Sequence, residues 1–167
     1  MTRLLIHEGA DIENICRIGQ DGWRTVLHFA TTNGYETIIQ ILIDMGADLD
    51  STGYCSTNSR DIHKFWNTTW RITPLHLAVA NGHEAVARLM TNKGANIEAE
   101  GSFDGAYWIP LHQAAANGDI ALVRLLIDKG ANIDVTGNYE RRTPLHLAVV
   151  NGDVAVAGLL IDTGANM

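Results

Sequence analysis

The hexapeptide Thr-Pro-Leu-His-Leu-Ala occurs twice without change, at 73–78 and 143–148, and no other feature of the chain constrains its fold so tightly. Two degenerate copies stand at 25–30 (Thr-Val-Leu-His-Phe-Ala) and 109–114 (Ile-Pro-Leu-His-Gln-Ala). Each copy is followed at constant offset by Asn-Gly, beginning at Asn33, Asn81, Asn117 and Asn151. A Gly-Ala-Asp or Gly-Ala-Asn marker then closes the unit at Gly46, Gly94, Gly130 and Gly164, and one more marker stands at Gly9. Internal repetition at this period means a stack of similar supersecondary units, none of which can bury its apolar face alone.

The chemistry of one unit predicts two helices. Thr73 is a good N-cap and Pro74 a good first helical residue, whose missing N–H would have no partner there in any case. That helix ends at Asn81-Gly82, where glycine supplies a left-handed C-terminal conformation. A second helix follows with Ala85, Val86, Leu89 and Met90 at helical spacing, and Gly94 stops it. Ile38, Ile39, Ile41 and Leu42, or Leu122, Val123, Leu125 and Leu126, give the other copies the same apolar face. Val26 and Ile109 depart from the pattern, so the first copy lacks the pre-set helical start and the third lacks the threonine cap.

These motifs closely resemble the ankyrin-repeat family, whose unit of about 33 residues carries T-P-L-H-x-A. The resemblance spans almost the whole chain. It implies an all-α solenoid of helix pairs with projecting β-hairpin fingers, in one domain: a partial repeat at 1–13 and repeats at 14–50, 51–100, 101–134 and 135–167. It also implies that the motif histidines His28, His76, His112 and His146 turn inward and hydrogen-bond locally. Partners of such proteins lie against the fingers and the inner helices.

The copies are spaced unevenly. Thr25, Thr73, Ile109 and Thr143 stand 48, 36 and 34 residues apart, and since the helices keep their length, the extra residues fall in the connecting fingers. Insertions on one face of a rigid scaffold are where binding concentrates. The longest, within 50–72, holds Tyr54, Cys55, Arg60, Asp61, His63, Lys64, Phe65, Trp66, Trp70 and Arg71, a composition too aromatic for a flexible linker. The other fingers bring Trp23 and Arg24, then Phe103, Tyr107 and Trp108, then Tyr139, Glu140, Arg141 and Arg142. Trp, Tyr and Arg dominate interface hot spots. The binding set expected from sequence is therefore Trp23, Arg24, Tyr54, Phe65, Trp66, Trp70, Arg71, Tyr107, Trp108, Tyr139, Glu140 and Arg142, on a non-catalytic module for a protein or peptide. The competing structural reading is that these rings staple each finger to its neighbour. Where the family's finger carries a glycine two places before the motif threonine, this chain has Trp23, Arg71, Tyr107 and Arg141, which puts the standard hairpin geometry in question.

An alternative function is a small-molecule or catalytic pocket roofed by the 51–72 insertion, with His63, Asp61 and Tyr107 as the acid–base candidates. The sequence has no P-loop, GxSxG, HExxH or CxxC motif. Nor does it call for a cofactor or metal, because motif histidines one repeat apart are too distant to share an ion. The net charge of -7, from 19 acidic against 12 basic residues, disfavours nucleic acid and anionic membranes. Cys16 and Cys55 form no disulfide framework, and no apolar run approaches a membrane span, so a soluble protein of the cytoplasm or nucleus is expected. The solenoid ends carry apolar residues, among them Val154, Val156, Leu159 and Leu160, which makes end-to-end self-association an expectation too.

Overall fold

Helices begin where the caps predict and stop at the glycines. In the computed structural model, which describes residues 11–17, 23–53, 71–103, 106–137 and 141–166, eight helices form four antiparallel pairs. The inner helices are α1 (Val26–Thr32), α3 (Pro74–Ala80), α5 (Pro110–Asn117) and α7 (Pro144–Val150). The outer ones are α2 (Glu36–Asp44), α4 (Glu84–Asn92), α6 (Ile120–Asp128) and α8 (Val154–Asp162). Gly118, at φ 71°, closes α5 in the left-handed conformation that only glycine adopts without strain.

Each helix is too short to persist alone, so packing supplies its stability. Inner helices lie side by side along the stack, as do outer helices, and one continuous core runs between the layers. Leu27, Leu75, Leu111 and Leu145 repeat the same motif position and are all buried in it, joined by Ile39, Met90, Leu126 and Leu160 from the outer layer. The last repeat differs. Val149, whose counterparts Val79 and Ala115 are buried, is 62% exposed, with no repeat packed beyond α7 and α8 among the described residues.

The fingers are short hairpins. β1 (Cys16–Arg17) pairs antiparallel with β2 (Trp23–Arg24), and β3 (Gly101–Phe103) with β4 (Ala106–Trp108). Single bridges, Gly53 to Ile72 and Gly137 to Arg142, mark the same point in the other two fingers.

The motif histidines tie each helix pair to the next finger. His28, His76 and His112 place Nε2 at 3.0, 3.1 and 3.1 Å from the carbonyl oxygens of Ile72, Trp108 and Arg142, each the residue just before the next helix cap. A carbonyl only accepts, so Nε2 carries the proton and Nδ1 is left as an acceptor. It accepts from the cap hydroxyl of Thr25 or Thr73 at 2.8 Å, and in the third copy from the backbone N–H of Ile109 at 3.4 Å, the isoleucine having no oxygen to offer. His146 makes the same bond to Thr143 at 2.8 Å yet is exposed, because no further finger covers its outer nitrogen.

Removal from water, the largest influence, holds the neutral form of these rings. It pushes His28 and His76 down from the ordinary 6.5 to about 4 and lowers His112 as well. The nearby Arg24 charge adds to the depression at His28.

Candidate functional site

The histidine bonds fix the direction in which each finger presents its side chains. The residue before the cap has its carbonyl held by the preceding repeat at Ile72, Trp108 and Arg142, and Arg24 and Ile72 are buried while Trp108 and Arg142 are half-buried. Successive side chains of a strand alternate sides, so the residue one place earlier faces outward. Arg71, Tyr107 and Arg141 are all exposed, Tyr107 by 51%.

Adjacent fingers are stacked closely enough to align these side chains. The Ser102 N–H donates to the Arg71 carbonyl at 2.9 Å, and Gly137 lies so near the Tyr107 carbonyl that a Cβ there would stand 2.6 Å from it. Gly101 is under the same constraint, since a Cβ would come 2.6 Å from His76 Nε2. Glycine therefore occupies the strand position opposite the pre-cap residue wherever a motif histidine precedes it, at Gly53, Gly101 and Gly137, and Cys16 fills that position in the first finger, which follows no such histidine. Arg141 sits at φ 52°, the left-handed region, and is the one non-glycine there among the described residues. The fourth finger thus keeps a glycine-type turn on an arginine, while Tyr107 lies in β4 and Arg71 is outside the left-handed region.

Beside this column the inner helices present a floor without charge. No Asp, Glu, Lys or Arg occurs in α1, α3, α5 or α7. Phe29, Thr32, Ala80, Gln113 and Ala116 are its half-exposed residues, and Val150 is 64% exposed. Between Ile72, His76, Ala80, Gly101, Ser102, Trp108 and Gln113 lies a recess of about 10 Å³, room for one water. A small-molecule site needs roughly 300–1,000 Å³. Among the described residues no group of three or more His, Cys, Asp or Glu is arranged to hold a metal ion.

The family model described as ankyrin repeats (3 copies) matches the sequence over residues 1–101 and 100–167. The chain belongs to the ankyrin-repeat family. No curated protein matches it. Ankyrin repeats are in general protein–protein interaction modules, and this one adds no helix, among the described residues, long and apolar enough to cross a membrane.

Against that family frame, the sequence-predicted binding set divides. Arg71 and Tyr107 stand on the exposed column of this ankyrin domain. Trp108 does not: its indole Nε1 is buried without an acceptor, and its Cδ1 would meet a Cβ on Gly137 at 3.1 Å, so this ring staples two fingers together. Arg24 is buried and its Nη1 donates to Thr32 Oγ1 at 3.4 Å. Trp23 contributes backbone to β2. Tyr54, Phe65, Trp66, Trp70, Tyr139 and Glu140 lie outside the described residues, as do the acid–base candidates Asp61 and His63. Sequence reasoning favours Arg142 and passes over Arg141, yet Arg141 is the exposed one of the pair. The signal that finds it is position: in the three fingers where that side chain is described, the exposed residue stands two places before the cap.

Proposed function

We propose that this ankyrin domain is a non-catalytic binding module that holds a protein or peptide across its fingers and inner helices. The observation that carries the reading is the column Arg71, Tyr107, Arg141: an exposed arginine or tyrosine on each of the last three fingers, on one continuous stack, beside an uncharged floor. Arg and Tyr bury large area and still offer polar tips, and a scaffold whose fingers are hydrogen-bonded to the preceding repeat presents them already ordered. The exposed thiol of Cys16, free of any disulfide, suits a reducing compartment such as the cytoplasm.

The test is a selection from a random peptide display library on the intact chain, with the Tyr107→Ala variant as counter-target. Ligands should be retained by the parent and lost by the variant, at least tenfold in affinity, while the two proteins melt within a degree or two of each other. Ligands indifferent to residue 107 would place binding elsewhere and end the proposal.

A further inference from the structure

The charge of this protein is not spread evenly. The four fingers, taken as 14–24, 51–72, 101–108 and 135–142, hold seven Lys and Arg against four Asp and Glu, whereas the remainder holds five against fifteen. A chain of net charge -7 thus divides by sequence into finger segments that sum to +3 and a remainder of -10. Four carboxylates of that remainder are engaged structurally. Glu13, Asp50, Glu98 and Asp134 each accept from a backbone N–H one repeat ahead, at Asp48, Asn96, Asn132 and Asn166, with separations of 2.8–2.9 Å. On the fingers the two exposed guanidiniums of the column, Arg71 and Arg141, have no ion-pair partner among the described residues. Tyr107 stands between them, one repeat from each.

We infer that the segment this column binds is acidic: an extended stretch of a partner protein with a carboxylate at each end and an apolar or aromatic side chain between. This rests on the finger-face reading above and adds the chemistry of the partner. Packed helices lie about 8–10 Å apart, so Arg71 and Arg141, two repeats apart, are separated by roughly 16–20 Å. An extended strand advances about 3.3 Å per residue, and the two carboxylates therefore fall about five or six residues apart, with the central side chain meeting Tyr107 and the uncharged floor. Arginine's planar fork suits carboxylates in two-point contact. Long polyanions fit less well, because the net acidic remainder of the chain repels a phosphate chain or anionic bilayer.

The same peptide selection decides the matter through the composition of what it enriches. Tyr107-dependent ligands should carry paired Asp or Glu at the stated spacing. For a synthetic peptide of one enriched sequence, Arg71→Glu with Arg141→Glu should weaken binding more than tenfold, and replacing the peptide's two carboxylates by lysines should restore it to that double variant. Raising salt from 50 to 500 mM should weaken the parent complex several-fold. If the enriched ligands are neutral or basic but still need Tyr107, the finger face remains the binding site and its acidic preference is wrong. Should nothing that depends on Tyr107 be enriched, both readings fall together. Failure of the lysine peptide to bind the double glutamate variant would overturn the direct pairing of carboxylates with these two arginines.

Discussion

At the scale of single residues, this chain holds strain and close approach where a sequence pattern shows only substitution. Arg141 adopts φ 52°, which costs a side chain with a Cβ about 1–2 kcal/mol. Glycine there would relieve that cost and give back part of it as unfolded-chain entropy, so Arg141→Gly should stabilise the protein by about 1 kcal/mol in urea denaturation. The equivalent Arg71 has ordinary backbone, and Arg71→Gly should shift the midpoint the other way by about 0.5–1 kcal/mol. One sequence position thus yields two opposite signs. Gly101→Ala tests the close approach. Its Cβ would fall 2.6 Å from His76 Nε2, displacing a buried ring from the Trp108 carbonyl, and the loss should reach about 2 kcal/mol or more.

At the scale of elements, the histidine that caps a helix and grips the next finger couples stability to acidity. His28 and His76 titrate at about 4 in the folded protein, against 6.5 for a free ring. Unfolding then takes up protons between those values. Their contribution is complete above about pH 6.5 and is lost as the pH falls toward 4, amounting to about 3 kcal/mol for each ring at the bottom of that window. Urea midpoints at pH 7, 5.5 and 4.5 should fall steeply. His76→Gln keeps an N–H for the Trp108 carbonyl but cannot take a proton, and the slope should flatten in that variant. The elements themselves are legible in the sequence, because Thr73-Pro74, Asn81-Gly82 and Gly94 are chemical instructions to start and stop helices. The grip of each histidine on a carbonyl 30 to 44 residues away is not. It depends on how the repeats stack, and no local pattern encodes that distance.

At the scale of the molecule, four helix pairs share one core, and the main helix contacts of each repeat run to its neighbours, so stability accumulates repeat by repeat. This explains why the fold is plain from the motif and the proposed binding face is less so. Aromatic and arginine content draws attention to the fingers, yet which side of a finger a residue faces depends on the pre-cap carbonyl. For this reason Trp108 turns into the structure and Tyr107 out, although adjacent in the chain. The histidine bonds have one more consequence. Each buried ring spans a junction: its Nε2 bond reaches the next repeat, at Ile72, Trp108 or Arg142, and its Nδ1 bond stays at the helix cap of its own repeat. An added proton goes to Nδ1 at the cap and charges a ring buried under the next finger, a burial relieved by parting the two repeats. In mild acid the molecule should behave as an articulated rod whose hinges have loosened, its radius in X-ray scattering growing before its helical dichroism declines, a spring softened by pH ahead of any melting.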